Sequence, residues 1–383
     1  MAARLNAPAL AHLSATLRSH VERGRIPGAV AAIARAGQVE YFETFGVRDP
    51  SAEAKMPDDA IFRIYSMTKP IVSLAALVLM EEGALQMNDP LPRFFPEFAS
   101  AKVAVEDAGS VRLVPAQRET TVHDLLRHTA GFTYAFLGTN AVQKQYEAAQ
   151  IGDRGIGNRE FCKQLAALPL QDHPGTGFQY SHATDVLGAV IEAVSGRTLG
   201  DFLRERIFEP LGMKDTAFSV PREKWQRVAE PFAKDPDSGN EVTMLDARIA
   251  PRFESGGGGL FGTTHDYARF LAMLRNQGSL DGVRVVSRKT IEWMTSDHLG
   301  SLPKYNDLLI PGYGFGLGVA VRTHTGMAPQ PGSVGQFFWS GIGGTSFFVD
   351  PAEDVFALLM TQGPNQRIFF RNLFRHLVYA ALD

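Results

Sequence analysis

The chain has 383 residues, a formal net charge of −3 and a hydrophobic share of 45%, which is ordinary for a globular protein with a substantial core. The small charge and the lack of basic runs argue against binding to nucleic acid or to a membrane surface. Cys162 is the only cysteine, so no internal disulfide can form. With no bilayer-length apolar run and no signal-peptide pattern, the predicted location is the cytoplasm.

The first elements predicted along the chain are a helix and a hairpin. Leu10, Leu13, Leu17 and Val21 recur at helical spacing among polar residues, which indicates an amphipathic helix. Residues 28–46 follow as two strand-like runs joined by an Ala-Gly turn. The N-terminal region therefore predicts a helix that packs on a pair of strands.

A serine and a lysine open the most apolar helix that the sequence predicts. Residues 71–80 are almost entirely apolar, and a helix that is apolar on all sides lies in the interior. Ser66 and Lys69 stand three residues apart just before this run, which places them on one helix face. A buried lysine needs a partner or a chemical role. The alternative is that Ser66 caps the helix and Lys69 reaches the surface.

Tyr180 is a candidate proton acceptor at a junction between elements. It lies between a Pro-Gly-Thr-Gly turn and a helix predicted to begin near His182. A serine nucleophile needs a base, and S-x-x-K enzymes use lysine and tyrosine in place of histidine. The alternative is a packed ring whose hydroxyl bonds to the backbone. The combination with Ser66 and Lys69 favours the catalytic interpretation.

The middle of the chain offers no cofactor or metal motif. The glycine run at 256–259 precedes a helix predicted near Thr264 but lacks the phosphate-loop pattern, so it is interpreted as a tight loop. His128, in the segment DLLRHTAGF, is interpreted as structural. No metal-binding motif is present, and the sequence predicts neither a metal nor a cofactor.

The C-terminal region predicts the rest of a sheet. Four short β-like runs cover residues 312–321, 335–341, 345–351 and 354–362, and a helix with an apolar stripe begins at about Asn365.

These elements predict an α+β fold, with a mainly antiparallel sheet that is formed from both termini and flanked by helices. A mostly helical lobe would be inserted into it. The predicted sheet domain covers residues 1–85 and 305–383, and the predicted lobe covers residues 86–304. The active site would lie between them.

Five segments, in order along nearly the whole chain, resemble the serine β-lactamase-related superfamily. The resemblance is closest to the class C β-lactamases and to the family VIII carboxylesterases, which are similar to them. The segments are Ser66-Met-Thr-Lys69, DLLRHTAGF, Tyr180-Ser-His182, GGGGLFGTTHDYARFLAML and FFWSGIGGTSFFVDP.

Two departures from the family pattern favour esters over β-lactams. His182 stands where the β-lactamases have asparagine, and Trp339-Ser-Gly341 stands where they have lysine-threonine-glycine. The tryptophan resembles the esterase branch. The lysine that would hold the carboxylate of a β-lactam is absent, so the resemblance implies a preference for neutral esters, with some β-lactam hydrolysis retained.

The resemblance implies an acyl-enzyme mechanism without cofactor or metal. Ser66 would be the nucleophile, and Lys69 and Tyr180 would move its proton, with the order of the two bases left open. Backbone N–H groups would stabilise the oxyanion. The implied oxyanion donors are Ser66 and Ile342, and the implied substrate-binding residues are Trp339, Gly341 and His182.

The predicted function is therefore hydrolysis of short-chain carboxylic esters, with a small-molecule ester as the partner. The alternatives are β-lactamase or D-alanyl carboxypeptidase activity, and acyl transfer to an alcohol other than water. A non-catalytic binding protein on the same fold is a remoter alternative, since a binding protein needs none of Ser66, Lys69 and Tyr180.

Overall fold

A computed structural model describes residues 4–107, 110–304 and 308–383. The strands within these ranges are β1 (Gly28–Arg35), β2 (Gln38–Asp49), β3 (Ala54–Lys55), β4 (Ile61–Arg63), β5 (Lys102–Asp107), β6 (Ser110–Pro115), β7 (Phe261–Thr263), β8 (Ser279–Leu280), β9 (Val283–Arg284), β10 (Tyr313–Phe315), β11 (Ala320–Arg322), β12 (Phe337–Ser340), β13 (Ser346–Asp350) and β14 (Val355–Thr361).

The α-helices in the same ranges are α1 (Ala7–Glu22), α2 (Thr68–Glu81), α3 (Val122–Leu126), α4 (Ala141–Ala148), α5 (Asn158–Ala166), α6 (Ala183–Ser195), α7 (Leu199–Leu203), α8 (Glu209–Leu211), α9 (Thr264–Arg275), α10 (Arg288–Met294) and α11 (Arg367–Tyr379). A π-helical turn, Arg204–Phe208, joins α7 to α8. Short 3₁₀ turns occur at Tyr65–Met67, Leu91–Arg93, Pro96–Ser100, Ala135–Leu137 and Arg222–Arg227.

Both ends of the chain contribute to one antiparallel sheet. The strand order is β10-β11-β12-β13-β14-β1-β2-β3. The N-terminal strand β1 lies beside the C-terminal strand β14, with Ala29 opposite Thr361 and Arg35 opposite Val355. This arrangement confirms the predicted α+β fold, in which an antiparallel sheet is built from both termini.

The predicted hairpin forms through a turn that needs unusual backbone angles. Ala36 and Gly37 connect β1 to β2 with φ values of 50° and 80°. A two-residue turn with both φ angles positive matches the right-handed twist of the flanking strands.

Helices cover both faces of this sheet. Ser14 of α1 hydrogen-bonds to Tyr41 and Glu43 of β2, whereas the ring of Phe42 stacks on His265 of α9 at 4.6 Å. Successive side chains of a strand point to opposite faces, so α1 and α9 lie on opposite sides. Every residue of β1 is buried as a result.

The C-terminal region departs from its prediction in one element. The run at 312–321, predicted as one strand, forms two strands, β10 and β11. The chain reverses between them, because Gly318 has a φ of 89° and the N–H of Gly316 donates to the carbonyl of Val319 at 2.8 Å. The helix α11 begins at Arg367, close to the predicted start.

The regular secondary structure in the middle of the chain is mainly helical, and this region holds the buried helix α2 in place. Residues 68–79 of α2 are all buried, and the helix packs against α6 and α7. The strand β7 returns to pair with β4, and α9, inside the range predicted for the lobe, packs on the sheet. The division into two domains remains a prediction.

Among the described residues, no helix combines the length and apolar character needed to cross a bilayer.

Candidate active site

Ser66 lies in the 3₁₀ turn that leads directly into α2. This turn continues into the helix, so Ser66 and Lys69 share a face, and the Nζ of Lys69 lies 3.4 Å from the Oγ of Ser66. Ser66 is partly exposed, whereas Lys69 is completely buried. The preceding residue, Tyr65, has a φ of 44°, a left-handed conformation that costs about 1–3 kcal/mol in a non-glycine residue. The backbone therefore presents Ser66 at a strained turn.

Lys69 is held by groups from three separate segments. Its Nζ donates to the carbonyl of Gly257 at 2.7 Å and to the hydroxyl of Tyr134 at 3.1 Å. The same nitrogen lies over the ring of Tyr180, 4.5 Å from its centroid. These contacts fix Lys69 beside Ser66 and supply hydrogen bonds that a buried amine requires.

Tyr180 lies in the same site, but its hydroxyl is not the one to which Lys69 donates, as a direct proton relay between the two residues would require. It is buried, and its hydroxyl accepts a hydrogen bond from the indole Nε1 of Trp339 at 3.3 Å. Lys69 meets the face of the Tyr180 ring, and the tyrosine hydroxyl to which it donates is that of Tyr134. The structure thus brings Ser66, Lys69 and Tyr180 together. It also places a second tyrosine, Tyr134, within hydrogen-bond distance of Lys69.

Tyr134, Gly257 and Asp185 belong to the site and were missed by the sequence analysis. Asp185 is buried and accepts from the hydroxyl of Ser255 at 2.5 Å, the N–H of Gly257 at 2.9 Å and the hydroxyl of Tyr134 at 3.4 Å. The available signals were the position of Tyr134 just after DLLRHTAGF and the glycine run itself. That run is a tight loop, and it also supplies the carbonyl that binds Lys69.

The environment keeps Tyr134 and Asp185 in opposite protonation states. Burial, with the charges of Asp185 and Tyr180, raises the pKa of Tyr134 well above its ordinary value. Burial also favours the neutral form of Asp185. However, the hydrogen bonds from His182 and Ser255 and the charges of His182 and Lys69 outweigh it and lower the pKa of Asp185. Tyr134 is therefore a protonated phenol beside a carboxylate.

The predicted substrate-binding residues all line one cavity of about 520 Å³, with Ser66 and Tyr180 in its wall. The Nδ1 of His182 lies 2.9 Å from Asp185, which orients the imidazole. Ile342, a predicted oxyanion donor, is at the cavity wall with 41% of its surface exposed. Trp339 and Gly341, the other two predicted substrate-binding residues, also line the cavity.

Gly341, just after β12, explains how this strand approaches the nucleophile. A Cβ atom at this position would lie 2.5 Å from the carbonyl oxygen of Ile64, just before the turn that carries Ser66. Only glycine allows so close an approach. The absence of a side chain therefore sets the distance between β12 and the Ser66 turn.

His128 lies in the core beside the site. It is completely buried, and its ring packs on those of Tyr180, Phe178 and Phe315. Burial and the charge of Lys69 lower the pKa of His128 well below its ordinary value, so it supports Tyr180 as a neutral ring. No group of three or more histidine, cysteine, aspartate or glutamate side chains in the described ranges is arranged to hold a metal ion.

The fold and this cluster define a serine hydrolase of the β-lactamase-like class. A family model described as Beta-lactamase matches residues 13–380. The chain therefore belongs to the Beta-lactamase family, which confirms the resemblance found in the sequence.

Two relatives and one solved structure that are described as esterases or as a hydrolase are similar to this chain over most of its length. Esterase EstB from Burkholderia gladioli is 35% identical over 377 residues, covering 92% of this chain and 90% of EstB. Lovastatin esterase from Penicillium rubens is 30% identical over 299 residues, covering 75% and 73%. The solved structure of EstCE1, described as a hydrolase with promiscuous acyltransferase activity, matches with a TM-score of 0.82 and 28% identity, covering 97% of this chain and 98% of EstCE1.

Proposed function

We propose that this protein is a carboxylesterase that cleaves short-chain esters through an acyl-enzyme on Ser66. The supporting observation is the placement of Ser66 at a cavity wall with Lys69 at 3.4 Å and Tyr180 in the same wall. The names of EstB, lovastatin esterase and EstCE1 point to the same chemistry.

The proposed acylation step uses groups already close to Ser66. Its Oγ attacks the ester carbonyl while its proton passes to Lys69 or Tyr180. The backbone N–H groups of Ser66 and Ile342 stabilise the oxyanion. When the tetrahedral intermediate collapses, the leaving oxygen takes a proton from Tyr180 and departs as the alcohol. Water then releases the acid by the reverse sequence.

Tyr134 has a different proposed role from Tyr180. Because its pKa is raised well above the ordinary value, its hydroxyl stays protonated. It accepts the hydrogen bond from Lys69 and donates to Asp185. We assign to it the positioning of Lys69, and we leave proton transfer to Lys69 and Tyr180.

Acyl transfer to an alcohol is a second candidate function. EstCE1, which covers this chain almost completely, is described as a hydrolase with promiscuous acyltransferase activity. The cavity wall is largely apolar, and its lining residues include Phe136, Leu137, Ile151 and Phe253. Apolar lining residues of this kind suit the hydrocarbon part of an alcohol acceptor. Product analysis in mixtures of water and butanol distinguishes the two activities.

The test of the nucleophile is covalent labelling by a fluorophosphonate. We expect one phosphonyl adduct on Ser66 by peptide mass spectrometry, and loss of p-nitrophenyl butyrate hydrolysis by at least about 10³-fold in Ser66→Ala. The sequence contains a second S-x-x-K pattern, Ser301-Leu-Pro-Lys304. Ser301→Ala, which removes its serine, is the matched control and should retain activity. An adduct on another serine, or an active Ser66→Ala protein, would overturn the assignment.

A further inference from the structure

A second cavity lies away from Ser66, at the far end of the buried helix α2. It has a volume of about 480 Å³, and four of its lining side chains carry nitrogen or sulfur atoms that can bind a metal ion: Met80, Met87, His123 and His298. Met80 is in the last turn of α2, fourteen residues after Ser66, which is about 20 Å along a helix. No described residue lines both this cavity and the active-site cavity.

The two histidines hold their ring nitrogens at the spacing of two ligands on one metal ion. The Nε2 of His123 lies 3.0 Å from the Nδ1 of His298. Two nitrogens that each lie about 2 Å from a metal ion, at the angles of a tetrahedral or square site, are also about 3 Å apart. His123 is in α3 and His298 follows α10, so the fold brings these nitrogens together.

A backbone carbonyl fixes how His298 presents its ring. The Nε2 of His298 lies 2.8 Å from the carbonyl oxygen of Trp293. A carbonyl oxygen only accepts, so Nε2 carries the hydrogen, and Nδ1 of the neutral ring directs a lone pair towards His123. Metal-binding histidines usually donate their other ring N–H in this way. His123 supplies the second lone pair when its hydrogen moves from Nε2 to Nδ1.

The remaining donors favour a soft ion of low charge. Met80 and Met87 are half-buried thioethers on flexible, unbranched side chains, and none of the described residues lining this cavity is acidic. Calcium and magnesium ions require several oxygen ligands, among them carboxylates, whereas thioethers and imidazoles suit Cu(I). Because no ligand carries a negative charge, a monovalent ion is less costly to hold here than a divalent one.

We propose that Met80, Met87, His123 and His298 form a binding site for a soft monovalent metal ion, Cu(I). The ion takes the place of the hydrogen bond between the two imidazoles, and its oxidation state does not change. Since the ligands come from four segments, the ion joins the end of α2 to α3 and to the segment after α10. Binding should therefore raise the temperature of unfolding. The site is independent of the proposed esterase function.

The experiment is an anaerobic titration with Cu(I) in competition with the chelator bicinchoninate, followed by the absorbance of the chelator complex. We expect the wild type to withdraw one ion per chain. Trp293 provides an optical signal, because its ring is 42% exposed and lies 5.9 Å from that of His298. Cu(I) should quench its fluorescence, and Trp293→Phe should bind the ion without that quenching.

Variants test the individual ligands. His298→Gln should weaken Cu(I) binding by at least about 100-fold, because losing even a hydrogen-bond partner of a metal ligand costs about 10- to 100-fold. Met87→Leu keeps an apolar side chain of similar size but removes the sulfur, and should cost at least about 10-fold. The matched controls His324→Gln and Met327→Leu change exposed side chains elsewhere. Cys162→Ala tests the buried thiol. All three should bind as the wild type does.

The outcomes separate this site from its alternatives and from the esterase. Ser66→Ala should bind Cu(I) as tightly as the wild type, even if it also shows that Ser66 is not the nucleophile. A wild type that yields all its Cu(I) to bicinchoninate, or wild-type affinity in His298→Gln, would overturn the site. Wild-type affinity in Met87→Leu would contradict thioether coordination. Loss of binding in Cys162→Ala would place the ion on the thiol instead.

Discussion

Ser66 and Lys69 lie three residues apart in the sequence, but the tyrosine hydroxyl that accepts a hydrogen bond from Lys69 comes from a distant segment. Tyr134 accepts from Lys69 at 3.1 Å and donates to Asp185 at 3.4 Å. One hydroxyl thus links the lysine beside the candidate nucleophile to a buried carboxylate. Its orientation fixes where the Lys69 amine points.

We predict that Tyr134→Phe lowers kcat by about 10- to 100-fold, the value of one or two lost hydrogen bonds, with little change in KM. Tyr180→Phe should cost several orders of magnitude, because Tyr180 is proposed to transfer the proton. The measurement is steady-state hydrolysis of p-nitrophenyl butyrate.

Tyr146→Phe is the matched control for these tyrosines. The hydroxyl of Tyr146 is buried and makes no hydrogen bond to Lys69, Tyr180 or Asp185, so its removal should leave kcat within about twofold. Should Tyr134→Phe be as damaging as Tyr180→Phe, the assignment of a positioning role to Tyr134 would be wrong.

At the scale of an element, the glycine loop at residues 256–259, just before β7, connects Lys69 to Asp185. Gly257 donates its N–H to Asp185 and accepts from Lys69 through its carbonyl. A side chain at this position has no room. A Cβ would lie 2.6 Å from Asp185 Oδ2 and 2.7 Å from the hydroxyl of Tyr134.

Gly257→Ala should therefore displace Tyr134 and Asp185 and lower kcat/KM by at least about 10-fold, with a modest loss of stability. Gly157→Ala is the control, because a Cβ at that position has nothing within 4 Å and its φ is −87°. Kinetics and thermal unfolding of both variants provide the measurement. Wild-type kinetics in Gly257→Ala would show that the loop can adjust without affecting the site.

At the scale of the whole molecule, a carboxyl group away from the site makes stability depend on pH. Glu192, near the end of α6, accepts the N–H of Leu199 at 2.9 Å. Burial, with the charge of Glu254, raises the pKa of Glu192 from 4.5 to about 7. Between these two values the folded protein holds a proton that the unfolded chain has released, so this group's stabilising contribution is present below pH 4.5 and is lost as pH rises through 7.

We predict that Glu192→Gln reduces the fall in the free energy of unfolding between pH 5 and pH 8 by about 1–2 kcal/mol, allowing for partial solvent screening. Glutamine keeps an acceptor for Leu199 without a charge to bury. Chemical denaturation at both pH values tests this, with the exposed Glu147→Gln as the control. A Glu192→Gln curve parallel to that of wild type would contradict the prediction.

Local sequence determined the elements and the core of the site. Two strand-like runs joined by the Ala36-Gly37 turn predict the hairpin, and the apolar run after Lys69 predicts a buried helix with Ser66 at its start. These features depend on residues that are close together in the chain, which a sequence displays directly. For the same reason Ser66 and Lys69 could be paired before the fold was known.

Contacts between distant segments were decided only by the tertiary structure. Tyr134 and Gly257 reach Lys69 from 65 and 188 positions away along the chain, and no local pattern marks such a meeting. Whether a buried charge is paired depends on what other segments bring to it, and only the folded chain holds that information.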